Sequence, residues 1–180
     1  MMICRFRVWS GTRSVAAVAA GVVAGLAAGA VLGAAPGLAG PSAVEAREGW
    51  YDPYEESVLE LTNYVRRAYG CENWLRRNNA LESAATYHSR EMATSRSMSH
   101  RGYDRSDPDD RIYWAGYNPS NGWAENIAYG YGSPYSVVRA WMDSPGHRRN
   151  ILNCRFRSLG VGVARAPDGT LYWTQNFGGR

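Results

Sequence analysis

The sequence predicts a single α+β domain whose helices come first and whose strands come last. Apolar residues recur at helical spacing early in the predicted domain, and two short apolar segments separated by a turn close the chain. This order differs from the alternation of strands and helices that builds a parallel sheet, so a βαβ fold is not expected. With 180 residues, the chain can bury one hydrophobic core and is too short to suggest two domains.

Two long helices are predicted first. One begins at Tyr54 and is stopped by Gly70. Its apolar positions recur every three or four residues: Val58, Leu61, Val65 and Ala68. The other spans about Leu81–Thr94 and contains His88, which we interpret as a packed or capping residue because it shares a stripe with alanine and methionine. A polar turn then leads to His100.

Two shorter helices follow. Residues 101–110 contain four Asp but lack the alternating oxygens, the central Gly and the final Glu of an EF-hand, so a solvated loop is favoured over a calcium site. Asp109 or Asp110 is expected to cap a helix that runs through Trp114. The next helix is predicted over Ser136–Met142.

The remaining chain predicts a turn and then a β-hairpin. Ser144-Pro145-Gly146 predicts the turn because Pro fixes φ and Gly accepts positive φ, and we expect this turn to present the imidazole of His147. Strands are predicted over Leu159–Ala164 and Leu171–Phe177, joined by a turn at Pro167-Asp168-Gly169. Glycines in the first strand indicate that a neighbouring backbone approaches closely.

The first 40 residues have the pattern of a secretory signal. A short Arg-bearing start is followed by a long uncharged run of Ala, Val and Gly and then by small residues. Cleavage after Ala39 or Ala46 fits this pattern. An uncleaved membrane anchor is the alternative, because the run is long enough to span a bilayer. Residues 41–53 are then a polar linker and residues 54–180 the folded domain, and the mature protein is expected to be secreted.

The charge distribution argues against a nucleic-acid binder. All 20 basic residues are Arg, and three of them lie in the first 40 residues, which contain no acid. The rest of the chain carries 17 Arg against 16 acidic residues. A surface that follows nucleic-acid phosphates needs a basic excess in the folded domain, and this domain is close to neutral.

The cysteines predict one disulfide. Cys4 lies inside the predicted signal, which leaves Cys71 and Cys154 in the mature chain. In an oxidising compartment such a pair is expected to join, with two separate thiols as the alternative. On the chain-entropy model, closing a loop of this length stabilises the fold by about 4 to 5 kcal/mol.

Three side chains are the candidates for metal binding or catalysis: His100, Glu125 and His147. Two neutral imidazoles are good ligands for Zn²⁺, and a nearby carboxylate can ligate the metal or fix an imidazole tautomer. Their spacing alone is a weak signal, because 22 to 25 residues separate consecutive members and no His-x-x-His pattern pairs them.

Six motifs give the chain a family resemblance: Ser99-His100, Ala115-Gly116-Tyr117, Glu125-Asn126-Ile127-Ala128, residues 141–152, Gly160-Val161-Gly162 and residues 172–178. In this order, they resemble the CAP superfamily (cysteine-rich secretory proteins, antigen 5 and pathogenesis-related proteins) in its short bacterial, SCP-like form. The resemblance implies an α-β-α sandwich with a small antiparallel sheet of three or four strands between helices, and a shallow cleft.

The resemblance also implies which residues line that cleft. Eukaryotic members place two His and two Glu there, and His100, Glu125 and His147 match three of them. The fourth position is occupied here by Ser144. Asp143 is adjacent, but a helix neighbour points about 100° away, which makes it a poor substitute. The departure weakens the expectation of a complete metal site.

Three functions are compatible with these features. The first is a secreted, monomeric binding module for a small lipophilic molecule or a cell-wall glycan, since lipid binding is attributed to several family members. Such a module does not require a metal ion, although it could hold Zn²⁺ or another divalent cation. Membrane contact is expected only through an uncleaved N-terminal segment. Tyr129 and Tyr131, in a Gly-rich loop, are the candidate ligand contacts. The second is a metal-dependent hydrolase with Glu125 as the base. The third is a structural or signalling protein with a vestigial cleft.

Overall fold

The computed structural model describes residues 53–179, and the predicted signal or anchor (1–40) and nearly all of the linker (41–53) lie outside them. The elements are α1 (Pro53–Ala68), β1 (Arg76–Arg77), α2 (Asn79–Ser95), α3 (Pro108–Trp114), a 3₁₀ turn (Pro119–Asn121), β2 (Trp123–Tyr129), α4 (Pro134–Asp143), α5 (Pro145–Ile151), β3 (Phe156–Arg165) and β4 (Leu171–Gly179). The helices expected from periodicity and the late hairpin are confirmed.

The sheet lies between two layers of helices, which confirms the α-β-α sandwich. Its strand order is β1-β3-β4-β2; the three long strands are antiparallel, and the two-residue β1 pairs parallel with β3. On one face α1 and α4 pack over a core that includes Val58, Trp141, Leu159 and Trp173. On the other face α2 covers β3 and β4. Strand β2 is an edge of this sheet.

The close backbone approach expected at the strand glycines is present. A Cβ atom added to Gly160 would collide with the backbone of Leu81 and Glu82, and one added to Gly162 would collide with the backbone of Ala85. These two glycines therefore let α2 lie directly on β3.

Two predictions about helix starts are wrong. The residue that caps α3 is Asp107, not Asp109 or Asp110; Pro108 takes the first helical position, and the Asp110 carboxylate accepts a hydrogen bond from the Asp107 N–H at 3.0 Å. The second error concerns Ser144-Pro145-Gly146.

Those three residues do not form a turn before His147, because α5 already begins at Pro145. Ser144 alone separates α4 from α5, with φ −94° and ψ 118°. Proline favours the first helical position, since its missing N–H is not needed there and its φ is preset. The imidazole of His147 therefore projects from the first turn of a helix.

Candidate binding cleft beside strand β2

The most buried member of the predicted set is Glu125, which lies on β2 with a side chain only 1% exposed. Each of its carboxylate oxygens has a partner. Oε1 accepts from Nδ1 of His100 at 2.8 Å, and Oε2 accepts from Nη2 of Arg111 at 2.9 Å. A buried carboxylate is costly unless it is paired and hydrogen-bonded, and Arg111 meets both requirements.

Arg111 belongs to α3, and its side chain is also 1% exposed. Besides Glu125, its guanidinium donates to the main-chain carbonyls of Ser106 at 3.0 Å and His100 at 2.9 Å. The sequence did not identify this residue, because an arginine in the first turn of a helix with acidic neighbours is expected to be exposed to solvent.

His100 lies ahead of α3, and its side chain is 53% exposed. Its Nδ1 is the ring nitrogen that faces the Glu125 carboxylate, while Nε2 has no hydrogen-bond partner among residues 53–179. His88 lies elsewhere, buried in α2 with Nε2 2.8 Å from the Ser99 carbonyl, as expected of a packed residue.

His147 lies half-buried in the first turn of α5, next to β2. Burial is the main cause that lowers its pKa below the ordinary value of 6.5, and the electrostatic interaction with His100 lowers it further, which favours the neutral ring. Asn126 of β2 positions this part of α5: its amide donates to the His147 carbonyl at 3.3 Å, and its oxygen accepts from Asn150 at 2.9 Å.

A cavity of about 210 Å³ opens beside His147. Its wall is mostly apolar and is formed by Met98, Ile127, Ala128, Tyr129, Tyr131, Ala140, Trp141, Ser144 and His147. The two tyrosines that the sequence singled out thus meet His147 and Ser144 at one cavity. Tyr129, which was expected in a loop, is the last residue of β2, and only Tyr131 lies in the loop that follows. Met98 is a wall residue that sequence reasoning did not identify.

The other predicted site residues lie outside this cavity. His100 and Glu125 are not part of its wall. The Asp143 side chain is 75% exposed and forms an ion pair with Arg139 at 3.9 Å on the outer surface of α4. Asp143 therefore lies away from the cavity, and Ser144 makes no side-chain capping hydrogen bond.

A larger depression, of about 630 Å³, lies along α2 next to Tyr87 and Tyr103 and contains none of the predicted site residues. Tyr103 is 90% exposed there, so this depression is a surface groove rather than an enclosed pocket. The smaller cavity is the better candidate, because buried apolar walls and a half-buried imidazole meet in it.

The cleft meets only part of the requirements for a metal ion. Within residues 53–179, no three or more His, Cys, Asp or Glu side chains are grouped to hold a metal. Both Glu125 oxygens are engaged by His100 and Arg111, which leaves the two imidazoles as ligands. Two imidazoles are fewer than the three or four protein ligands of a typical zinc site, so the described residues supply only part of a coordination shell.

The family model described as "CAP: Cysteine-rich secretory protein family" matches residues 59–177. The chain belongs to this family. Among curated proteins, the CAP chain is 36% identical over 140 residues to the uncharacterized protein YkwD of Bacillus subtilis, covering 78% of itself and 50% of that protein. It is 34% identical over 123 residues to the uncharacterized membrane protein YlbC of the same organism, a match that covers 68% of this chain and 34% of that protein. The chain thus spans half or less of these relatives.

Solved structures agree on the CAP fold. An extracellular SCP-domain protein of Bacillus anthracis superposes with a TM-score of 0.63 at 26% identity, over 73% of this chain and 45% of that one. An outer surface protein of Borrelia burgdorferi gives a TM-score of 0.62 at 23% identity, over 69% and 91%. None of the helices within residues 53–179 of the CAP chain is long and apolar enough to cross a membrane.

Proposed function

We propose that this CAP domain is a secreted binding module that takes one end of a lipophilic molecule into the cavity beside His147. The observation that carries the proposal is the composition of the cavity wall. Ile127, Trp141 and Ala140 supply apolar surface, and Ser144 and His147 supply the few polar groups that would orient a ligand headgroup. An apolar recess with a few polar groups is the usual form of a small-molecule site.

The size of the cavity favours partial insertion. Its volume of about 210 Å³ is below the roughly 300–1,000 Å³ of pockets that enclose a drug-sized ligand. A longer ligand would extend over the rim, where Tyr129 and Tyr131 are 53% and 38% exposed. Such rings offer apolar area with a polar edge. A cell-wall glycan would use these rim tyrosines without filling the recess.

Replacing Tyr131 with alanine is expected to weaken binding of a fluorescent fatty acid about tenfold, close to 1.4 kcal/mol, because the rim loses its apolar face. Unfolding by urea is expected to be nearly unchanged, since the ring is exposed. Tyr135→Ala is the matched control: Tyr135 is 65% exposed, lies in α4 and is not part of the wall. Equal loss of binding in both variants would contradict the role of the cavity rim.

A second proposal concerns the two histidines. His100 offers Nε2 and His147 offers a neutral ring, so the pair would hold one Zn²⁺ or similar divalent ion. The ion would supply a Lewis acid beside the cavity. Glu125 would act through His100, because its own oxygens are already paired.

Untagged, chelator-stripped protein is expected to bind about one Zn²⁺ per chain in calorimetry, and His100→Ala combined with His147→Ala is expected to abolish the heat. Asp143→Asn is the control, since this exposed carboxylate pairs with Arg139 and does not face the cavity. Unchanged Zn²⁺ binding in the double histidine variant would rule out the site.

The hydrolase alternative has weaker support. A general base must be free to take a proton from water, but Glu125 is buried and both its oxygens accept hydrogen bonds from His100 and Arg111. Ser144 precedes Pro145 at the start of α5 and lacks the strand-to-helix elbow that exposes a nucleophilic serine. These contacts favour binding over hydrolysis.

A further inference from the structure

We propose that Arg111 is the positioning residue of the cleft: through Glu125 it fixes His100 as the Nδ1–H tautomer and keeps Nε2 directed to solvent. The proposal rests on the proposed function only in assigning His100 to a binding cleft. The tautomer itself can be measured without any ligand.

The first support is electrostatic. The side chains of Arg111 and Glu125 are each 1% exposed, and they lie 2.9 Å apart, so neither charge has appreciable contact with water. The guanidinium thus supplies the opposite charge and the hydrogen bond that a buried carboxylate needs. An ionised carboxylate only accepts hydrogen bonds, and its second oxygen lies 2.8 Å from Nδ1 of His100.

The second support is that the same guanidinium also binds the main chain of His100. Nη2 donates to the His100 carbonyl at 2.9 Å in addition to Glu125, while Nη1 donates to the Ser106 carbonyl at 3.0 Å. Arg111 thereby fixes both the backbone that carries the imidazole and the carboxylate that orients it. A residue that only filled the core would not need to contact both.

The third support is the geometry of the donor. Nη1 and Nη2 of the planar guanidinium fork together donate to four acceptor atoms on Glu125, His100 and Ser106, since Nη1 also donates to the Ser106 hydroxyl at 3.3 Å. Lysine carries a single ammonium on a flexible stem and cannot reproduce that fork. Arg111→Lys therefore keeps the positive charge while losing the geometry, which makes it the informative substitution.

The test is nuclear magnetic resonance of protein labelled with ¹⁵N in histidine, recorded without ligand at a pH where the imidazoles are neutral. Long-range proton–nitrogen correlations identify the tautomer of each ring. In the wild type, His100 is expected to be the Nδ1–H form. In Arg111→Lys, its balance is expected to shift towards Nε2–H, while the signals of His88 remain unchanged as an internal control.

Two results would overturn the inference: an Nε2–H tautomer of His100 in the wild type, or an unshifted Nδ1–H tautomer in folded Arg111→Lys. If that variant does not fold, the wild-type spectrum decides between the two tautomers, and Glu125→Gln, which removes the ionised acceptor but keeps its shape, is expected to release the Nδ1–H preference. If the wild-type protein binds neither fatty acid nor Zn²⁺ but its His100 is the Nδ1–H tautomer, the proposed function is refuted while the role of Arg111 stands.

Discussion

Replacing Arg66 with alanine is expected to lower the free energy of unfolding by about 3 to 5 kcal/mol, because several main-chain carbonyls would lose a charged donor at once. Arg66 is 1% exposed near the end of α1. Its guanidinium donates to the carbonyls of Ile151 at 2.7 Å, Asn153 at 3.0 Å and Phe156 at 3.2 Å. It therefore joins α1 to the end of α5 and the start of β3.

The charge of Arg66 persists despite its burial. Burial, and to a lesser degree the neighbouring charge of Arg157, lowers the pKa of Arg66 to about 10, so the side chain remains protonated at pH 7. The dipoles of the surrounding carbonyls, including that of Ile151 at the end of α5, stabilise this cation.

Urea unfolding monitored by circular dichroism measures this effect. Arg67→Ala is the matched control: it removes the neighbouring, exposed arginine of the same helical turn and is expected to change stability by less than about 1 kcal/mol. A loss of under about 1 kcal/mol in Arg66→Ala would mean that water replaces the guanidinium and that the junction does not depend on it.

Removing the disulfide between Cys71 and Cys154 is expected to cost about 4 to 5 kcal/mol, because the bond closes a loop with a sequence separation of 83. The bond that the sequence predicted is thus present. The variant with both cysteines replaced by alanine avoids a free thiol and is to be compared with oxidised wild type by the same urea unfolding. A midpoint within error of the wild type would contradict the chain-entropy account.

The disulfide and Arg66 stabilise the same junction. The Cys71 N–H donates to the Arg66 carbonyl at 2.9 Å, and the Arg66 side chain binds the carbonyl of Asn153, the residue before Cys154. The disulfide and the Arg66 side chain restrain the same two chain segments. The losses of unfolding free energy are therefore expected not to be additive when Arg66, Cys71 and Cys154 are all replaced.

Regular periodicity made much of the fold predictable. The apolar stripes of α1 and α2 were each visible as a repeat of about 3.6 residues, and the hairpin of β3 and β4 was visible as two apolar segments joined by a Pro-Asp-Gly turn. Strand β2 was not predicted from any repeat. Its five inner residues are all buried, including Glu125 and Asn126, so the alternation that marks a strand with one wet face is missing.

The site was predictable in residue type more than in arrangement. His100, Glu125 and His147 were named from motifs, but the sequence could not show that His147 lies in α5 beside a cavity while Glu125 faces α3. Arg111 illustrates the reason. Its role depends on a contact between α3 and β2 across 14 residues of chain, and no local pattern encodes such a contact.

The central claim, that the cavity beside His147 takes a lipophilic ligand, is tested most directly by extraction. Wild type and Ala140→Phe, in which the new ring would fill the cavity from α4, are incubated with a fatty-acid and sterol mixture, separated from free lipid and analysed by mass spectrometry after solvent extraction. We expect close to one lipid per wild-type chain and a strong depletion in the variant. Equal lipid in both proteins, or none in the wild type, would contradict the claim.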